Sequence, residues 1–391
     1  MDFRALDHQS ADDLRARGGL KWTTYPDAIG AFVAESDYGT APSVVDAVRA
    51  RVDVEGFGYT PTHVRADAVN AFTRWAADRY AWDVDPARVQ LIPDVLSSLE
   101  IALTHFTRPD AAVILPTPAY MPFFGLLRSH GRAIVETPML READAWEFDY
   151  DAIDHAFASG AGLLILVNPA NPIGAVFTRE QLLPLVDIVE RHGGRVWSDE
   201  IHAPLRFDGR PHVSYASLSD TAAAHTITAA SISKGWNTPG LKCAQTIFSA
   251  EESARGATAS ESAAFATAHL GIYATAAAYN DGREWMDGLV EHLQVNRDLL
   301  GELIAEQLPR ARYIPPQGTY LAWIDLREYN VPNVHGYLLN EAGVALTDGN
   351  ACGSGLDGHV RLNFALPRPL LADAVARIGA ALATATGVAA G

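Results

Sequence analysis

Three polar clusters in this chain each follow an apolar run. Leu163–Val167 leads into Asn168-Pro169-Ala170-Asn171-Pro172-Ile173-Gly174. Val196-Trp197 leads into Ser198-Asp199-Glu200-Ile201-His202, and Ile227–Ala230 into Ser231-Ile232-Ser233-Lys234. In open α/β sheets ligands gather at the carboxyl ends of the strands, so these junctions would bring together an amide, a carboxylate and a hydroxyl-flanked lysine. A lysine amine condenses with an aldehyde when burial and nearby positive charge keep it neutral. A carboxylate beside it can hold a ring nitrogen protonated, which makes the ring an electron sink. Each residue also has a plainer reading: Lys234 as a surface lysine, Asp199 as a helix N-cap, Asn171 as a turn residue between prolines. The chain contains three lysines, Lys21, Lys234 and Lys242, among 30 basic residues, so each one stands out.

The elements that must position these groups follow from periodicity. Short apolar runs at Val89–Ile92, Ala112–Leu115, Ala133–Glu136, Gly162–Val167, Arg195–Ser198, Thr226–Ala229 and Gln245–Phe248 alternate with helix-like segments. That pattern predicts an α/β fold with a mostly parallel seven-stranded sheet covered on both faces. Helical spacing covers 42–54, 64–80, an Ala-rich stretch at 257–280, and 283–308 with Trp285, Leu289, Leu293, Leu300 and Leu303 along one face. Residues 1–40 read as an extended arm with one short helix. The tail, with strands expected at Tyr320–Ile324, Ala345–Thr347 and His359–Phe364 and a helix at 370–386, reads as a smaller α+β unit. The expected division is a large domain over 42–282 and a small one formed by 1–41 and 283–391.

Length and composition narrow the function. At 391 residues and 48% hydrophobic content the chain can bury a large core, and its charge of −17 would repel a phosphate backbone. Nucleic acid is therefore not expected as a partner. The sequence shows no apolar run long enough for a membrane span, so a cytoplasmic protein is expected. Cys243 and Cys352 lack the spacing of a zinc site, and no metal is expected.

The set NPxNPxG, SDEIH, SxSK followed by GLK, GTYLAW and VRLNFALPR, in this order, resembles the fold-type I aminotransferases that use pyridoxal 5′-phosphate (PLP). Within them it resembles the MalY/PatB-type cystathionine β-lyases, and the likeness runs from Lys21-Trp22 to Pro367-Arg368. The resemblance implies that Lys234 carries the cofactor as a Schiff base and that Asp199 pairs with the pyridine nitrogen. Asn171 would bond the phenolic oxygen and Tyr120 would stack on the ring. His202 marks the lyase-like branch, and Arg361 would bind the substrate carboxylate through its fork, beside Asn171 and Tyr120. A phosphate needs amide donors at a helix start, here Val95 and Leu96, with Ser231, Ser233 and Lys242 as further donors. Tyr59 would reach the phosphate of the neighbouring subunit, which implies a homodimer with shared sites. The implied reaction is elimination of a thiol from cystathionine or a cysteine S-conjugate, giving a 2-oxo acid and ammonia. The alternatives are transamination, a decarboxylation-coupled oxidative deamination of cysteine S-conjugates, and a binding or regulatory role on a retained fold. Two departures bear on the substrate: Asp94 stands where relatives have Gly, and Val33-Ala34-Glu35-Ser36-Asp37-Tyr38 replaces a Val-Ala-Asp-Met-Asp-Phe-like segment.

Overall fold

A computed structural model describes residues 3–142 and 144–387. Among the described residues the central sheet has seven strands, labelled here β1 (Val89–Ile92), β2 (Val113–Thr117), β3 (Ile134–Pro138), β4 (Leu163–Val167), β5 (Arg195–Asp199), β6 (Thr226–Ser231) and β7 (Ala244–Ile247). Their order across the sheet is β1-β7-β6-β5-β4-β2-β3, and β7 alone runs against its neighbours. Alternate side chains point to opposite faces, and the strands are apolar on both. Leu163 and Ile165 join one cluster with Trp197, Ile227 and the helices Val95–Ile101 and Pro122–Ser129. Leu164 and Leu166 join another with Val196 and the helices Tyr150–Ala158 and Arg179–Arg191. Helices on both faces are what lets a parallel sheet be buried on both sides.

A smaller antiparallel sheet, β8 (Arg312–Tyr313), β9 (Leu321–Asp325), β10 (Thr347–Asp348) and β11 (His359–Asn363), has the order β8-β9-β11-β10. It shares a core with the long helix Arg283–Gln307 and the helix Arg368–Thr386. Trp285, Leu289, Leu293, Leu300 and Ile304 fill the buried stripe of the long helix, while Leu303 sits half-buried at its edge.

Three expectations change. The strand expected at Ala345–Thr347 is split: Val344–Ala345 pairs in parallel with Ile29–Gly30, and β10 pairs with β11. The Ala-rich stretch forms two helices, Ser253–Ala266 and His269–Asp281, because Thr267 and Ala268 take extended backbone angles between them. The arm is more ordered than an extended strand. It contains a 3₁₀ turn over Phe3–His8 and two short helices, Ala11–Ala16 and Leu20–Thr23, the first closed by a capping box between Ser10 and Asp13.

Candidate active site

Strands β4 and β5 end level, Val167 opposite Asp199, and β6 runs two residues past Ala229, which lies opposite Asp199. After β4, Asn168 ties its own loop shut: its amide nitrogen donates to Val213 O at 3.3 Å and its oxygen accepts from Phe177 N at 3.0 Å. Gly174 turns this loop at φ +68°, where an added Cβ would lie 2.3 Å from that of Pro316, so only glycine fits. Asn171 is held inside the loop, 6% exposed. After β5, Asp199 accepts from Ile201 N at 3.1 Å. Burial pushes its carboxyl up to about 7; the Ile201 amide opposes that rise, neighbouring Glu200 adds to it, and Lys234 offsets part. Glu200 itself turns away, accepting from Ser198 Oγ and Ser214 Oγ at 2.9 Å each, with His212 Nε2 at 2.8 Å. Asp199 ends a strand and does not cap a helix.

After β6, Ser231 caps the single turn Ile232–Gly235 by accepting from Ser233 N at 3.1 Å, and that turn presents Lys234. Nζ of Lys234 donates to Ala34 O at 2.9 Å. Burial, and after it the Arg361 cation, brings the amine down to about 8, so roughly a tenth is neutral at pH 7, far more than for an ordinary lysine. Arg361 lies on β11, 3% exposed, and donates to Asn171 Oδ1 at 2.9 Å and to Phe32 O at 2.6 Å. Its Nε is buried and has no hydrogen-bond partner among the described residues. His202 is 1% exposed with Nδ1 likewise unpartnered; burial, then the Lys234 and Arg361 cations, holds its imidazole well below the ordinary value and therefore neutral. Its ring lies edge-on to Tyr320, with centroids 6.0 Å apart.

A cavity of about 150 Å³ opens here, lined by Asp94, Val95, Leu96, Tyr120, Asn171, Asp199, Ile201, His202, Ser233, Lys234, Pro239 and Lys242. At one end the helix Val95–Ile101 begins, capped by Asp94, whose Oδ1 accepts from Ser97 N at 3.0 Å and whose Oδ2 pairs with Lys242 at 2.9 Å. The expected residues thus converge with two exceptions. Ser231 lies one layer behind the cavity, its hydroxyl 2.8 Å from both Ser233 Oγ and Cys243 O. Tyr59 is 87% exposed against Phe265 and does not line the cavity within one chain. Ile201, Pro239 and the Ala34 carbonyl carry no polar side-chain pattern to mark them, and sequence reasoning missed them. The residues present fit PLP. A buried carboxylate with a raised pKa suits a cationic ring nitrogen, and His202, which lines the cavity, has a buried nitrogen with no hydrogen-bond partner among the described residues, as a site that takes a polar ligand would. Amides, a hydroxyl and an ammonium at the far end suit a phosphate.

Comparison with known proteins agrees with this geometry. The chain is 40% identical to cystathionine β-lyase of Corynebacterium glutamicum, over 95% of this chain and 98% of that one. It is 32% identical to cystathionine β-lyase PatB of Bacillus subtilis, over 91% and 93%. Among solved structures, the PLP-bound C–S lyase of Staphylococcus hominis superposes with a TM-score of 0.85 at 27% identity, covering 94% of this chain and 97% of that one. Residues 29–378 match the family described as Aminotransferase class I and II, and the chain belongs to that family.

Proposed function

We propose that this protein is a PLP-dependent carbon–sulfur β-lyase that cleaves cystathionine or a cysteine S-conjugate to a thiol, a 2-oxo acid and ammonia. The observation that carries the reading is a single cavity lined by a buried lysine of lowered pKa and a buried carboxylate, with a buried arginine bonded to Asn171 in its wall. PLP, when bound, supplies the electron sink that makes a proton at the substrate Cα removable.

The protein's own groups divide the rest of the work. With PLP bound, Asp199 would hold the ring nitrogen protonated, Asn171 would donate to the ring oxygen, and Tyr120 would stack on the ring. Val95, Leu96, Ser233 and Lys242 hold the phosphate, with Ser231 steadying Ser233 from behind. Arg361 fixes the substrate carboxylate, using the guanidinium N–H groups that Asn171 and Phe32 leave free, Nε among them. Lys234, as a neutral amine, takes the Cα proton; the C–S bond then breaks and the thiolate leaves with the bonding pair. Neutral His202 packs beside the lysine and adds no further cation.

The reading includes a homodimer whose interface covers Tyr59 and Phe265, 87% and 73% exposed in one chain, and brings Tyr59 to the partner's phosphate end. It also includes a cytoplasmic location, in keeping with Cys243 and Cys352 both buried and unpaired. No helix among the described residues is long and apolar enough to cross a membrane.

The test is to incubate holoenzyme with L-cystathionine or an S-alkyl-cysteine, without a keto acid, and follow thiol and pyruvate together. Equal release over many turnovers supports the lyase. Turnover that starts only when a 2-oxo acid is added overturns it in favour of transamination.

A further inference from the structure

Six consecutive carbonyls, Phe32 to Asp37, each accept a hydrogen bond from a side chain. Phe32 O takes Arg361 Nη2 at 2.6 Å and Thr347 Oγ1 at 2.7 Å. Val33 O takes Asn363 Nδ2 at 2.7 Å, and Ala34 O takes Lys234 Nζ at 2.9 Å and Tyr320 OH at 3.0 Å. Glu35 O takes Asn363 Nδ2 at 2.7 Å and Lys21 Nζ at 3.1 Å. Ser36 O takes Asn237 Nδ2 at 2.8 Å, and Asp37 O takes Arg17 Nη1 at 2.9 Å. Carbonyls of an irregular segment are ordinarily left to backbone turns or water, and side chains take only some of them. Here the donors come from the arm, from the Lys234 turn and its flank, and from the small sheet. The segment is thus a crosspiece joining these elements, and two of its donors, Lys234 and Arg361, are groups the chemistry needs.

Behind the crosspiece lies a buried ion pair. Lys21 is 1% exposed and its three ammonium protons find three acceptors: Glu35 O, Asp37 Oδ2 at 2.9 Å and Ala365 O at 3.0 Å. Trp22 Nε1 donates to the other Asp37 oxygen at 2.9 Å, and Asp37 N donates to Ala365 O at 3.1 Å. Buried ion pairs add little net stability over apolar packing, so what this one supplies is fixed geometry.

We propose that Lys21, Trp22 and Asp37 are positioning residues for proton transfer: through the 32–37 crosspiece they hold the Ala34 carbonyl as the acceptor for an N–H of Lys234. With one N–H committed to that carbonyl, the lone pair of the free amine is confined to the two tetrahedral positions that remain. The Cα proton moves to Nζ, the C–H bonding pair stays on the carbon side, and the resulting ammonium keeps the same acceptor through a charge-assisted bond. The inference rests on Lys234 being the base, and it holds equally for elimination and for transamination.

The experiment follows exchange of the Cα hydrogen of L-alanine into deuterated buffer by NMR, using holoenzyme. Alanine has no leaving group at Cβ, so the outcome is independent of the lyase reading. The variants are Lys21→Met and Trp22→Phe, with cofactor content and visible absorbance measured beside them. Expected is full cofactor content, unchanged absorbance, an alanine KM close to that of the wild type, and exchange slowed about 10- to 100-fold in Lys21→Met, the effect of small misplacements of a reacting group. Trp22→Phe falls between the two, and it decides the matter if Lys21→Met does not fold. Wild-type exchange rates in a folded, loaded variant, or a loss confined to KM, overturn the proposal. A Lys234→Ala protein that exchanges the Cα hydrogen at the wild-type rate instead removes the reading of Lys234 as base.

Discussion

Replacing Asp199 by Asn makes the electrostatics of the site measurable without turnover. Asp199 is 4% exposed, and its carboxyl rises from an ordinary 3.8 to about 7, chiefly through burial. Its folded pKa lies above its unfolded one. Between those values the native state binds more protons than the unfolded chain, and stability falls as pH rises through the window at about 1.36 kcal/mol per pH unit. From 3.8 to about 7 this amounts to roughly 4 kcal/mol, of which about 2–3 kcal/mol is lost between pH 5 and pH 8. Asn carries no charge and escapes the loss. Apoenzyme of Asp199→Asn should therefore gain on wild-type apoenzyme by about 5 °C in Tm between pH 5 and pH 8, taking about 2 °C per kcal/mol for a chain of this size. PLP reverses the order, because a cationic ring nitrogen restores the ionised carboxylate; at pH 8 the cofactor should raise the Tm of the wild type more than that of the variant. Thermal melts of apo and loaded protein at both pH values provide the assay. A difference that stays flat from pH 5 to pH 8, or a variant that gains as much from PLP as the wild type, refutes the assignment of Asp199 to the ring nitrogen.

Arg361→Lys keeps the charge but loses the fork, and one or two charge-assisted bonds at about 1.5–3 kcal/mol each should lower kcat/KM for an S-alkyl-cysteine about 10²–10³-fold, read by steady-state kinetics. Asp94→Asn retains a helix cap, since Asn caps as well as Asp, and removes an anion paired with Lys242. PLP affinity measured by equilibrium dialysis should rise about tenfold at low salt and converge on the wild type as salt screens the charge. Gly174→Ala puts a Cβ 2.3 Å from Pro316 at φ +68°. It should cost about 3 kcal/mol in urea unfolding through left-handed strain and overpacking, with cofactor affinity falling as Asn171 shifts.

Local pattern was sufficient for much of this molecule. Most runs in the large sheet are apolar on both faces because helices cover both faces, and that signal lies within four to six residues, so all seven strands were legible with ends shifted by at most two positions. The polar residues after β4, β5 and β6 were legible for the same reason: a parallel sheet brings consecutive strand ends to one edge, and the motif order named the chemistry. What local pattern could not supply was contact between distant parts. Arg361 meets Asn171 across 190 positions and Lys242 meets Asp94 across 148. The Val344–Asp348 run divides between two partners only because Ile29–Gly30 arrives beside half of it. The sequence by itself determined which elements form and which side chains could react. The tertiary structure alone decided that Ser231 stands behind Ser233, and that six consecutive carbonyls of the arm are each taken up by a side chain, Ala34 O by Lys234 among them. A carbonyl is the same group in every residue and leaves no trace in the sequence, so its partners appear only when the chain is packed.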